Sequence, residues 1–227
     1  MTAYHPSSRR PISDLFRRTA SWPVRWSLRL GVPPNLISYS SILAAGTAGL
    51  CFWQASTRPW LLIPAVACIY LRLWLNMLDG MVALAGGTAT ATGEIVNELP
   101  DRVSDVIIFT GVAHSGLCHP LSGYWAAIGA LMAAYAGTLG QAVGAQRQFG
   151  GLMSKPWRMV ALSAGALITL AVLWWPEGKF DHAGLRILDW TCLAIIAGCV
   201  ETVWVRLARV VRLLNASGPE SKRTGPT

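Results

Sequence analysis

Six runs of this chain approach or exceed the ~20 apolar residues that a helix needs to cross the hydrocarbon core of a bilayer. They lie at roughly 36–53, 60–84, 94–116, 123–144, 158–175 and 187–208 of the 227 residues. Length alone would allow a soluble domain. Composition argues against one, because 53% of the residues are apolar and only 13% are charged. Both faces of the runs are apolar, which fits buried or lipid-facing helices better than amphipathic soluble ones. The expected fold class is all-α integral membrane, with six transmembrane helices.

Lys and Arg orient these spans. With six of them, both termini share one side with the 85–93 and 145–158 loops. That side carries Arg9, Arg10, Arg17, Arg18, Arg25, Arg29, Arg147, Lys155, Arg158, Arg206, Arg209, Arg212, Lys222 and Arg223, against Arg58, Lys179 and Arg186 on the other. The positive-inside bias places the richer side in the cytoplasm, and a bacterial inner membrane is the expected location. The net charge of +8 then reflects topology and attraction to anionic headgroups; it does not call for nucleic acid. The basic, proline-broken first 30 residues lack the apolar core of a cleavable signal peptide.

Residues 1–12 read as a disordered basic tail, and the polar 215–227 segment as another. Between them, 13–214 form one membrane domain. It opens with an N-terminal interfacial amphipathic helix from Ser13 to Leu30, in which Leu15, Phe16, Trp22, Trp26 and Leu28 mix with four arginines and Pro23 interrupts. Small residues such as Gly49, Gly129, Gly137 and Gly140 suit close helix packing. The five cysteines contain no CxxC pair and read as small apolar packing residues. His114, Cys118 and His119 come near a metal-ligand spacing but lack a fourth ligand.

Five of the eleven acidic residues (Asp79, Glu94, Glu98, Asp101 and Asp105) fall between Asn76 and Asp105. Ionisable groups at membrane depth are costly unless paired, metal-bound or wetted, so this concentration needs a function. Arg72, Asn76 and Asp79 share one helical face at i, i+4, i+7. Glu94, Glu98, Asp101 and Asp105 fall within about 60° of one another, with Asn97 at the border and Arg102 pointing away. Folding the two spans as a hairpin about residue 88 sets Asp79 near Asn97 and Glu98, Asn76 near Asp101, and Arg72 near Asp105. Asp105 is thereby open to two roles, an ion pair with Arg72 or a place in catalysis.

The string from Asn76 to Asp101 resembles the signature of the CDP-alcohol phosphatidyltransferases, D-x2-D-G-x2-A-R-x8-G-x3-D-x3-D. All 26 positions keep their spacing. Asp79, Gly80, Ala83, Gly93 and Asp101 match, whereas Asn76 and Asn97 replace two Asp and Leu84 replaces Arg. The resemblance implies an enzyme that moves a phosphatidyl group from CDP-diacylglycerol to a small alcohol and releases CMP, using Mg2+ or Mn2+. It implies Asn76, Asp79, Asn97 and Asp101 as metal ligands, and Gly80, Ala83 and Gly93 against the CDP moiety. Asp101 is then the general base, helped or replaced by Asp105 or Glu98. Arg147, Lys155 and Arg158 are candidates for a phosphate cradle, and a homodimer is the family's frequent assembly.

Neutral Asn oxygens can ligate a hard cation, but they reduce the charge of the four-residue set from −4 to −2. An active site with altered metal use explains why Asp79, Glu98 and Asp101 persist in a costly setting. The alternative is a non-catalytic homologue that binds CDP-lipid or packs with a partner. A cation transporter is disfavoured, because spans four to six offer only Asp189 and Glu201 as acids, without evident partners.

Overall fold

Prolines mark where several helices begin. Pro34 and Pro120 open their helices and Pro156 is the second residue of another; a missing N–H is harmless in a first turn, and the fixed φ suits helix entry. A computed structural model describes residues 22–87, 91–145, 147–175 and 181–216, leaving out the side chains of 91–97. Residues 22–29 form α1. The following helices are α2 (Pro34–Trp53), α3 (Leu62–Ala85, preceded by a 3-10 turn at Pro59–Leu61), α4 (Ala91–Ala113), α5 (Pro120–Ala142), α6 (Lys155–Trp174) and α7 (Ile187–Ala216). Among the described residues there is no strand beyond an isolated bridge between His182 and Leu185.

Four helices, α2, α3 with its 3-10 turn, α6 and α7, are long and apolar enough to cross a membrane. Their outer surfaces carry exposed Leu43, Ile63, Ile168, Val200 and Trp204, a belt that lipid covers far better than water. The chain is an integral membrane protein. Both α4 and α5 have 23 residues, about 34 Å at the helical rise. The apolar run of α4 is broken by the acidic motif, while α5 is rich in Ala and Gly.

The helices close into a ring. α2 packs on α3 and α4, α4 on α5, α5 on α7, α7 on α6, and α6 back on α3. The core inside this ring includes Phe52, Ile69, Phe109, Met159 and Ile195. α3 and α4 follow each other in the chain, yet among the described residues they are not a closely packed pair. The physical reason lies in their facing surfaces, where long polar side chains stand between the two backbones.

Other boundaries differ in smaller ways. α7 runs to Ala216 rather than 208 and carries Arg209 and Arg212 with it. Pro23 is the second residue of the described 22–29 helix, and the chain before Trp22 lies outside the described residues. In α1 Val24 is buried with Ile37, Leu78 and Val82, so one face docks on α2 and α3, while Trp22 and Trp26 are exposed with ring centroids 5.5 Å apart. The expected 1–12 tail, the 13–21 portion of the interfacial helix and residues 217–227 of the distal tail lie outside the described residues.

The α2–α4 contact depends on absent side chains. A Cβ on Gly49 would meet the carbonyl oxygen of Ile107 at 2.9 Å, and one on Gly111 would press into the main chain of Gly49 itself. Backbone on both sides cannot yield as a flexible side chain can. Gly111→Ala is therefore expected to cost about 1–3 kcal/mol through overpacking. Gly46→Ala, with nothing within 4 Å of the new Cβ, is expected to be neutral or to stabilise by up to about 1 kcal/mol. Thermal unfolding in detergent checks the contrast, and equal melting temperatures for the two variants would refute it.

Candidate active site

Arg72 is fully buried, and a guanidinium in that position requires partners. The one-turn spacings of α3 place Arg72, Asn76 and Asp79 along the face turned toward α4. Arg72 Nη2 lies 2.8 Å from Asp105 Oδ1 and donates to the main-chain carbonyl of Asp101 at 2.8 Å. The other Asp105 oxygen takes Arg158 Nη2 of α6 at 3.0 Å, while Arg158 Nη1 donates to the Met153 carbonyl at 2.8 Å. Asp105 thus sits between two buried arginines from two helices. Of its two possible roles the geometry favours the ion pair: a carboxylate held by two guanidinium groups is a poor proton acceptor.

One turn nearer the α3–α4 connection, Asp101 Oδ1 accepts from both Asn76 Nδ2 and Lys155 Nζ. Because Asn76 turns its amide nitrogen to Asp101, its Oδ1 is left buried without a hydrogen-bond partner. Asp79 is buried as well; its Oδ2 accepts from Ser38 Oγ of α2 at 2.6 Å, and its Oδ1 lies 2.5 Å from the Gly80 amide. Asp79 is also within electrostatic reach of Asp101 and Lys155. Beside it, a Cβ on Gly80 would meet nothing within 4 Å, so this face of α3 borders open space. Ala83 is half-buried one turn further on.

At the mouth, Glu98 pairs with Arg102 on its own helix and with Arg147 Nη2 at 2.6 Å. The Arg147 guanidinium rests 5.3 Å from the Phe149 ring centroid. Arg102 was expected to point away from the acidic stripe; its long, flexible side chain instead bends back one turn to Glu98. Arg102, Arg147, Lys155, Arg158 and Arg206 together line a cavity of about 160 Å³. Arg206 comes from α7, where it donates to the carbonyls of Ala133 and Gly150. Arg206 and Ser38 were not foreseen, and no local pattern marks them. A cation in a final span and a serine early in the first acquire meaning only from the ring.

The side chains of Gly93, Glu94 and Asn97 lie outside the described residues. Among those described, no three His, Cys, Asp or Glu form a group able to hold a metal. At the opposite end of the bundle, His114 bonds to Tyr124 at 2.7 Å and stacks on Trp53, Cys118 donates to the Val112 carbonyl, and His119 accepts from the Leu121 amide at 3.3 Å. Asp189 is not without partners. It accepts from Ser122 Oγ and the amides of His119 and Arg186 at 2.6–3.0 Å, tying α7 to the start of α5. Glu201 accepts from the Leu152 amide at 2.9 Å.

The two-arginine arrangement ranks three substitutions. Asp105→Leu strands two buried cations and is expected to destabilise most, at about 3–5 kcal/mol. Arg72→Leu should cost less, since Arg158 still compensates Asp105. The Arg72→Leu/Asp105→Leu double variant should recover only part of the loss, because Arg158 then stands alone. Detergent-solubilised melting temperatures test the ranking; full recovery by the double variant would exclude a role for Arg158 in the network.

No protein-family model matches the chain. The archaetidylinositol phosphate synthase of Methanothermobacter thermautotrophicus is 26% identical over 179 residues, covering 79% of this chain and 87% of that protein. Among solved structures, the Mycobacterium tuberculosis phosphatidylinositol phosphate synthase with CDP-DAG bound superposes with a TM-score of 0.69 at 21% identity, over 85% of this chain and 94% of that one. The same enzyme in complex with manganese and citrate gives a TM-score of 0.68 at 20% identity, over 84% and 88%. The relatives share the chain's length and bundle, and the motif that first suggested them lies on the two helices that face each other across the polar gap. The chain is thus similar in sequence to archaetidylinositol phosphate synthase and shares the fold of the phosphatidylinositol phosphate synthase.

Proposed function

We propose that this protein transfers a phosphatidyl group from CDP-diacylglycerol to a phosphate-bearing alcohol, releasing CMP, with Mg2+ or Mn2+ as cofactor. The observation that carries this reading is the polar gap between α3 and α4. There Asp79, Asp101 and the unpartnered Asn76 Oδ1 sit beside the open face of Gly80. These are hard oxygen donors of the kind that Mg2+ and Mn2+ take, and an orphaned buried amide oxygen fits a cation better than it fits a finished hydrogen-bond network. Asn97, outside the described side chains, would complete the set. When bound, the metal would neutralise charge on the pyrophosphate and on the departing CMP. The manganese complex of the M. tuberculosis relative supports this assignment.

The chain's own residues do the remaining work. Gly80, Ala83 and Gly93 leave room for the nucleotide against the helix backbones. Asp101 takes the proton from the acceptor hydroxyl as its oxygen attacks phosphorus and the bond to CMP breaks. Arg102, Arg147, Lys155, Arg158 and Arg206 hold the acceptor's phosphate in the adjoining cavity, which Lys155 joins to Asp101. Five cations around so small a space suit a dianionic group.

In this reading six helices, α2 to α7, cross a bacterial inner membrane as parts of one domain spanning 13–214. α1 continues an interfacial helix, and the site faces the cytoplasm. The clustering of cations around the α5–α6 connection and the end of α7 supports that orientation.

Purified protein supplied with CDP-diacylglycerol and Mg2+ should release CMP with inositol phosphate or glycerol phosphate, and at least 100-fold more slowly with free inositol, glycerol or serine. Chelator, Asp79→Ala or Asp101→Ala should reduce release to background. Rapid turnover with a phosphate-free alcohol would remove the acceptor assignment. CDP-lipid binding without any CMP release would favour the non-catalytic alternative. Gly80 gives an independent check: Gly80→Leu should raise the melting temperature slightly, by relieving a helix-interior glycine, yet weaken CDP binding at least ten-fold. Unchanged CDP affinity would place the nucleotide elsewhere.

A further inference from the structure

Lys155 is the first residue of α6, where the positive end of the helix dipole disfavours a cation. Its ammonium nevertheless turns inward to Asp101 Oδ1, the oxygen that also takes the Asn76 amide. Both partners are largely buried, with side-chain exposures of 11% and 15%. In the layers between α3, α4 and α6, the cations Arg72, Lys155 and Arg158 stand against the carboxylates Asp79, Asp101 and Asp105. These six charges balance without any metal. Asn76 adds none, and neither does Asn97.

A divalent cation entering this site alone would leave two uncompensated positive charges among groups removed from water, which is strongly unfavourable. The pyrophosphate of a CDP-linked lipid carries two negative charges and restores the balance. Lysine is suited to this exchange, since its ammonium has three donors on a flexible four-carbon stem. It can leave Asp101 for a phosphate oxygen without disturbing α6. The arginines cannot do the same, because Arg158 is anchored to the Met153 carbonyl and Arg72 to the Asp101 carbonyl.

We propose that Lys155 is a tethered counter-cation on Asp101, so that the divalent metal enters this site together with the pyrophosphate of its substrate and not ahead of it. The proposal rests on the metal-dependent reading given under the proposed function. Thermodynamic linkage adds a consequence: the metal tightens nucleotide binding by the same factor as the nucleotide tightens metal binding.

Mn2+ binding to the purified full chain in lipid nanodiscs, followed by electron paramagnetic resonance with and without CDP, tests this once Mn2+ held by free CDP is subtracted. The wild type should bind Mn2+ at least ten-fold more tightly with CDP than without it. Lys155→Gln should bind Mn2+ without CDP at least ten-fold more tightly than the wild type and lose most of the coupling. Lys155→Arg, which keeps the charge, should resemble the wild type and reports whether the position tolerates change. Equal wild-type affinity with and without CDP would overturn the proposal, as would an unaltered CDP-free affinity in Lys155→Gln, while leaving metal-dependent transfer intact. Absence of Mn2+ binding under all conditions would instead overturn both this inference and the metal-dependent reading beneath it.

Discussion

Asp105 lies between Arg72 of α3 and Arg158 of α6, at 2.8 and 3.0 Å, with all three side chains removed from solvent. No member of this set is tolerable alone at that depth, so the positions of α3, α4 and α6 are mutually constrained. The constraint works at a distance set by side-chain length. A guanidinium on a long stem spans a separation that apolar packing would have closed, and α3 and α4 accordingly stay apart while α2 bridges them on one side. The gap is thus a product of the charges that cross it.

Stacked on this network is a second layer whose members are only partly satisfied. Asp101 gathers Asn76 and Lys155 on one oxygen, Asn76 retains an orphaned carbonyl oxygen, and Gly80 faces open space. The contrast between the layers is chemical. The deeper one sets a carboxylate between two guanidinium groups through short, charge-assisted contacts and serves to hold helices, although Arg72 Nε and Nη1 and Arg158 Nε have no hydrogen-bond partner among the described residues. The shallower one has capacity left over, as a site that must exchange partners with a ligand requires.

The far end of the bundle is organised by different means. Asp189 gathers two amides and a hydroxyl to fix α7 against α5, and the aromatic and histidine side chains there satisfy one another. Glycines take over in between, above all where α2 crosses α4 through Gly49 and Gly111. A rigid frame of close crossings and capped ends leaves adaptable chemistry confined to one end of the ring.

The amino-acid sequence by itself determined the helices, their approximate limits and the face on which Arg72, Asn76 and Asp79 lie, because hydrophobic length and helical periodicity are local properties. It also supplied the pairing of Arg72 with Asp105 and of Asn76 with Asp101, since two consecutive antiparallel helices match residues by depth. What it could not determine was anything requiring a third helix. Arg158 against Asp105, Lys155 on Asp101, Ser38 on Asp79 and Arg206 in the basic cavity all join residues more than 40 positions apart. Those contacts depend on the order in which the helices close the ring. That order follows from the tertiary fit of small residues and buried charges, which no single segment of the chain encodes.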